Sequence, residues 1–294
     1  MSSAGGSRVA AADLELRPVR SVDEYRACEQ LQRLVWGFET DLDVVPLTQL
    51  VAASKSGGVL LGAFDDSDDL RGFTYGFLGR DDDGRPLVYS HMTAVAPELR
   101  AAGLGRRLKW AQRDVALGLG IDLMVWTYDP LESLNGFFNF SKLGVVASRY
   151  WPNLYGSTGS ALHRGLPTDR LRADWFLSSP RAESRRQGGR GAIAARASRE
   201  PEGFAIALRA EGAEPGVVDT AIDAEFLLCE VPAQIQEIKL ADPAVALAWR
   251  MATRELMTHY LGNGYFVREC VRTDDAARRT FYVLQRGAAG ALDD

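Results

Sequence analysis

Six consecutive residues, Arg100-Ala101-Ala102-Gly103-Leu104-Gly105, carry the clearest chemistry in this sequence. They stand between an apolar run, residues 87–95, and a stretch with apolar or small residues at Leu104, Leu108, Ala111, Val115 and Leu119. The run reads as a strand and the spaced residues as one face of a helix. A strand, a glycine-bearing turn and a helix start form a phosphate site. The first amides of a helix have no acceptor within it, and its dipole favours an anion there. Glycine at 103 and 105 removes the Cβ atoms that would hold a diphosphate away from the backbone. Arg100, Arg106 and Arg107 add positive charge beside the same turn.

Caps and periodicity predict the elements that position this turn. Residues 14–19 alternate apolar and polar, and Pro18 suits an edge strand because it cannot donate to a ladder. Ser21-Val22-Asp23-Glu24 is a capping box opening a helix to about Val35. A second helix follows residues 43–46 and ends near Gly57. Residues 58–64 and 70–78 read as strands, joined by the polar turn 65–69, and residues 81–84 turn again into the strand 87–95. Beyond Gly118-Leu119-Gly120, residues 121–127 read as a buried strand. Residues 131–143 read as a helix ended by Gly144, and 145–150 and 171–177 as strands. The expected class is α/β: a mixed sheet flanked by helices, with a smaller C-terminal α/β domain.

The expected domain plan has a disordered N-terminus (1–12), a main domain (13–178), an exposed linker rich in Arg, Ser, Gly and Ala (179–202), a C-terminal α/β domain (203–287) and a tail (288–294). In the C-terminal part, strands are expected at 203–208 and 226–231, with a closing hairpin at 265–271 and 280–284. Asp242-Pro243 opens a helix with Val245, Trp249, Leu256 and Tyr260 on one face. Helix, strand and strand repeat the order of 131–177, so a degenerate half-repeat is one reading of this domain. Its expected role is to cover the acceptor side of a site or to form a homodimer contact.

Composition narrows the function classes. In 294 residues, 46% hydrophobic and 25% charged content describe a globular protein, and a net charge of −5 lacks the basic footprint of a nucleic-acid binder. Cys28, Cys229 and Cys270 have no metal-ligand spacing, and their odd number argues against a disulfide framework. Neither a metal, nor nucleic acid, nor a membrane is expected as a partner. The first twelve residues have no apolar core that would mark a signal peptide, no apolar run reaches membrane-spanning length, and the expected compartment is the cytoplasm.

The segment Val95-Ala96-Pro97-Glu98-Leu99-Arg100-Ala101-Ala102-Gly103-Leu104-Gly105 resembles the acyl-CoA motif of the GNAT superfamily of N-acyltransferases. That motif is Arg or Gln, two residues, Gly, one residue, then Gly or Ala, after a Val-x-Pro exit from a strand. The element order of residues 14–177 is similar as well. The resemblance implies acetyl-CoA or succinyl-CoA as acyl donor and a small-molecule primary amine as acceptor. It implies that Arg100, Ala101, Ala102, Gly103, Leu104, Gly105 and Arg106 cradle the diphosphate and that Thr93, Ala94 and Val95 pair with the pantetheine amides. The amine would attack the thioester directly.

By period-2 strand alternation, Tyr89, His91 and Thr93 are expected on one strand face. His91 is either a proton acceptor for the amine or a hydrogen-bonded structural residue. The tyrosine that many GNAT enzymes use to protonate the leaving thiolate aligns with Phe140. Tyr128, Tyr150, Tyr155 or Ser133 would replace it, or the thiolate leaves unprotonated. Asn135 and Asn139 are expected to face the same way, toward the pantetheine or the acyl group, or toward solvent.

A narrower resemblance spans 126–179, carried by Trp126-Thr127-Tyr128-Asp129-Pro130-Leu131, Ser133-Leu134-Asn135, Phe138-Asn139, Lys142-Leu143-Gly144, Tyr150, Tyr155-Gly156, Gly165-Leu166-Pro167-Thr168-Asp169-Arg170-Leu171 and Trp175. It is to a bacterial GNAT subfamily found beside N-acylamino-acid racemases, some members of which are succinyl-CoA:D-amino-acid N-succinyltransferase-like. It implies an amino-acid acceptor, with Arg149, Arg164 or Arg170 holding a carboxylate. Other amines (an antibiotic, a polyamine, a protein N-terminus) and a non-catalytic acyl-CoA-binding module are the alternatives.

Overall fold

The computed structural model describes residues 10–38, 41–156 and 165–290. The chain divides into two compact units, the first reaching Met124 and the second starting at Val125. Both are α/β, the expected fold class, but the division falls inside the span 13–178 expected as one domain. Among the described residues no helix is long and apolar enough to cross a membrane.

The first unit holds β1 (Glu15–Pro18), α1 (Val22–Trp36), α2 (Leu47–Lys55), β2 (Val59–Phe64), β3 (Leu70–Arg80), β4 (Pro86–Val95) and α3 (Leu104–Gly118). The four strands pair antiparallel in the order β1-β2-β3-β4. The capping box forms as read: Glu24 N–H donates to Ser21 Oγ at 3.2 Å, and Ser21 N–H to Glu24 Oε2 at 3.1 Å. Every residue of β2 is buried, which explains its unbroken apolar run. One core cluster joins Tyr25, Cys28, Leu31 and Leu50 of the two helices to Phe73, Tyr75 and Ala94 of the strands. On the other sheet face, α3 packs through Leu104 and Leu108. It approaches closely because β3 is bare at Gly76, where a Cβ would lie 2.9 Å from Gln112 Nε2 of α3.

The unit boundary falls within β5 (Leu123–Tyr128). The second unit continues with α4 (Ser133–Phe137), which runs into a π-helical turn, Phe138–Leu143. Next come β6 (Tyr150–Trp151), β7 (Arg170–Phe176), α5 (Pro180–Arg186), α6 (Ala192–Arg199), β8 (Ala205–Leu208), β9 (Ala210–Glu211) and β10 (Glu214–Pro215). β11 (Phe226–Val231), α7 (Ile235–Ala241), α8 (Pro243–Gly262), β12 (Tyr265–Arg272) and β13 (Thr280–Arg286) complete it. Strands lie in the orders β5-β7-β6 and β12-β13-β11-β8, the latter mixed because β8 and β11 are parallel. In both sets the last strand inserts between the two before it. The strand expected at 145–150 is reduced to β6 and two bridges, Val146 with Asp174 and Ala147 with Val267.

The exposed linker expected at 179–202 is instead two helices with a buried face. Ser179 caps α5 by accepting from Ala182 N–H at 3.1 Å, and Pro180 occupies the first turn. Arg181 and Arg185, four apart, share a helix face and meet Glu269 of β12 at 2.8 and 3.1 Å, with all three side chains about 1% exposed. Arginine-rich composition suggested solvation, but the distant Glu269 carboxylate and the carbonyls of Gly144, Arg268 and Gly189 hold those charges inward. Cys28, Cys229 and Cys270 are buried and unbridged.

Candidate functional site

The phosphate-type turn is built by the exit from β4. Ala96 N–H donates to Arg71 O at 2.9 Å, and a short 3-10 turn, Pro97–Leu99, ends the strand. Ala101 follows at φ 63° and Gly103 at φ 85°, so two of three successive residues are left-handed. For Ala101 that conformation costs about 1–2 kcal/mol, a strain the turn tolerates. Gly103 occupies the cap position of α3. Arg107 N–H reaches Gly103 O at 3.1 Å as the first intrahelical bond, which leaves the amides of Leu104 and Gly105 directed at the turn. A Cβ on Gly103 would meet nothing within 4 Å, whereas one on Gly105 would touch only Val95, at 3.8 Å. The space before the turn is therefore open, and alanine would fit at 105, as the motif allows.

The arginines divide their work. Arg100 is exposed, with Nη2 3.5 Å from Val35 O. The Arg106 guanidinium lies 6.0 Å from the Trp110 ring. Arg107 is a brace: it donates to Ala11 O, and to Leu14 O at 3.0 Å.

Upstream, β4 contains a bulge. Gly76 pairs with Ser90 and Tyr75 with Met92, so His91 is the extra residue opposite nothing. This corrects the expected alternation. Tyr89 and His91 do share a face with Tyr75 and Phe77, but Thr93 pairs with Thr74 on the opposite face, their hydroxyls 2.9 Å apart. One inserted residue reverses every side chain after it. Ala94 and Val95 continue the ladder opposite Phe73 and Gly72.

The His91 ring lies 5.9 Å from Tyr75, 6.1 Å from Phe77 and 6.4 Å from Tyr89. Its outer surface meets solvent while the rings crowd its body, and that burial holds its pKa below the ordinary 6.5. Phe77 and Tyr89, a cross-strand pair, stack at 5.2 Å and 19°. Behind the bulge, Ser90 Oγ donates to Gln112 Oε1 at 2.7 Å and accepts from Lys109 Nζ at 2.8 Å. Lys109 is buried, and desolvation drives its pKa well below the ordinary lysine value. This polar contact pins α3 under the bulge. Phe77, Gln112 and Lys109 were not among the expected site residues. The alternation of Phe73, Tyr75 and Phe77 opposite Tyr89 and His91 was the available signal.

In the second unit, Tyr128 is buried and its hydroxyl donates to Tyr282 Oη at 3.3 Å, and burial raises its pKa well above 10.0. Phe140 is fully buried, edge-on to Tyr282 at 5.9 Å. Asn135 is exposed and Asn139 buried, which corrects their expected common face. The π turn spends an extra residue per turn, so positions four apart no longer superpose. Arg170 is 6% exposed; its Nη1 donates to Asp169 O at 3.0 Å and its guanidinium lies 5.1 Å from the Tyr155 ring. Arg149 is half-buried, its carbonyl accepting from Arg172 N–H at 3.0 Å. Arg164 lies outside the described residues. Among the described residues no group of three or more His, Cys, Asp or Glu side chains is placed to hold a metal ion.

No protein-family profile and no curated protein matches this sequence. Solved structures do resemble it. One is a GNAT-family protein from Desulfovibrio desulfuricans, 20% identical, covering 56% of this chain and 99% of its own, TM-score 0.44. Another is a GNAT-superfamily phosphinothricin acetyltransferase from Sinorhizobium meliloti in complex with AcCoA, 16% identical, covering 55% and 87%, TM-score 0.43. A third is the ribosomal-protein-S18-alanine N-acetyltransferase from Escherichia coli, 12% identical, covering 56% and 94%, TM-score 0.45.

Proposed function

We propose that this chain is an acyl-CoA-dependent N-acyltransferase of the GNAT type, acting on the primary amine of a small molecule. The observation that carries the reading is the turn after β4. Left-handed residues at Ala101 and Gly103 open a space faced by the first amides of α3, and the residues there match the acyl-CoA motif.

The turn fits a diphosphate in shape and charge. The Leu104 and Gly105 amides, with Arg100 and Arg106 beside them, would hold it. Thr93 to Val95 would lie along the pantetheine. Coenzyme A, when bound, supplies the acyl group as an activated thioester. The His91 imidazole, whose pKa is lowered where the rings crowd it, would then accept a proton from the incoming amine. The bulge turns that imidazole out of the ladder, and the Ser90–Gln112–Lys109 contact holds the bulge.

The finer reading is an acetyl or succinyl donor and an amino-acid acceptor. Thiol release from acetyl-CoA and succinyl-CoA, measured against D- and L-amino acids, tests it. Amine-dependent release is expected, and a flat response to every pair overturns the amino-acid acceptor and leaves the coenzyme A site standing. The second reading, an acyl-CoA-binding module without catalysis, is favoured by the buried Phe140 where a proton-donating tyrosine aligns. It requires acyl-CoA binding with no amine-dependent release.

A further inference from the structure

We infer that the acceptor carries its amine on an uncharged aromatic body, which packs on the ring face of β3 and β4 beside His91. The inference rests on the acyl-transfer reading for the identity of the reacting group, and on the ring geometry for the rest.

Four aromatic side chains meet on one face of this hairpin. Tyr75 is fully buried at its base, its ring 5.9 Å from His91 and tilted 80° to it, with its hydroxyl 3.4 Å from Gln49 Nε2. Phe77 stands at the open end, 37% exposed, with its ring stacked on Tyr89. The rings are held by backbone register rather than by flexible stems, so the face is already ordered before anything binds. Flat apolar groups gain most on such a surface, through offset or edge-on ring contacts.

Charge narrows the class further. On this face, Phe73, Tyr75, Phe77 and Gly79 of β3 and Leu87, Tyr89, His91 and Met92 of β4 include no lysine, arginine, aspartate or glutamate. The strand residues of this face offer a polyamine no carboxylate and an acidic side chain no cation. An aromatic body meets rings, while its amine reaches the imidazole that the bulge projects among them. Aromatic amines and the side chains of aromatic amino acids both satisfy this, whereas aliphatic or charged bodies do not.

The test uses the full chain and four amines: phenethylamine, L-phenylalanine, n-butylamine and L-alanine. Direct binding is followed by titration calorimetry, and acyl transfer by thiol release from acetyl-CoA. Each aromatic amine should bind about tenfold more tightly than its aliphatic counterpart. Phe77→Ala should erase that difference without changing acetyl-CoA affinity, and Phe77→Tyr should retain it. Equal binding of aromatic and aliphatic amines, or an unchanged preference in Phe77→Ala, overturns the inference. So does sedimentation showing a dimer that Phe77→Ala dissociates, since a second copy would then cover the face. Thiol release with aliphatic amines alone overturns the inference and leaves acyl transfer standing. Ring-dependent binding with no thiol release keeps the ring site and overturns acyl transfer.

Discussion

Gly103→Ala separates the ligand role of the turn from its conformational role, provided that Gly120→Ala is measured beside it. Gly103 has φ 85° and Gly120 φ 75°, and an added Cβ at either position meets no protein atom within 4 Å. Folding therefore feels the same perturbation twice: a non-glycine residue in the left-handed region, at about 1–2 kcal/mol each. For units of this size that lowers the melting temperature by roughly 3–12 °C. Ligand binding should tell the two apart. At 103 the new methyl stands in the open space beside the Leu104 and Gly105 amides, while at 120 it lies at the far end of α3. A hydrogen bond from an amide to a charged oxygen contributes about 1.5–3 kcal/mol. Losing one weakens acetyl-CoA binding roughly ten- to a hundredfold. Calorimetric titration with acetyl-CoA, alongside thermal melts of all three proteins, makes the comparison. Matching melts with an affinity loss confined to Gly103→Ala is the expected result. Wild-type affinity in Gly103→Ala, or equal losses in both variants, would refute the cradle.

Three further predictions concern charge. His91→Gln should lower kcat about a hundredfold while leaving the KM for acetyl-CoA unchanged, and it should remove an acid limb of the wild-type rate profile lying below pH 6.5. Because folding lowers the His91 pKa, the unfolded chain takes up that proton first. The stability that neutral His91 contributes is complete above 6.5 and is lost as pH falls through the folded value, so His91→Gln should lose less melting temperature on acidification. In the second unit, Glu269→Ala strands the buried Arg181 and Arg185 and should cost about 3–5 kcal/mol in urea unfolding. A loss under about 1 kcal/mol would show that those arginines find other partners.

Local chemistry was legible in the sequence. The Ser21–Glu24 capping box, the glycine turn after Pro97, the Asp242-Pro243 helix start and the Gly144 stop each depend on a few adjacent residues, and each formed where it was read. The geometry of that glycine turn belongs to this class, since its amides and left-handed residues lie within one short segment. What only the tertiary structure decided depends on pairing between distant residues. The bulge at His91 exists because Ser90 and Met92 choose partners on β3, and that choice separates His91 from Thr93. Phe77 joins the ring face because its strand partner is Tyr89. Arg181 and Arg185 turn inward because Glu269, more than eighty residues on, meets them. The π turn that parts Asn135 from Asn139 forms where the helix brings Phe140 onto Tyr282, a contact that no short sequence window contains. Period-2 and period-3.6 patterns assume an unbroken ladder. Where packing inserts one residue, every face after it changes side.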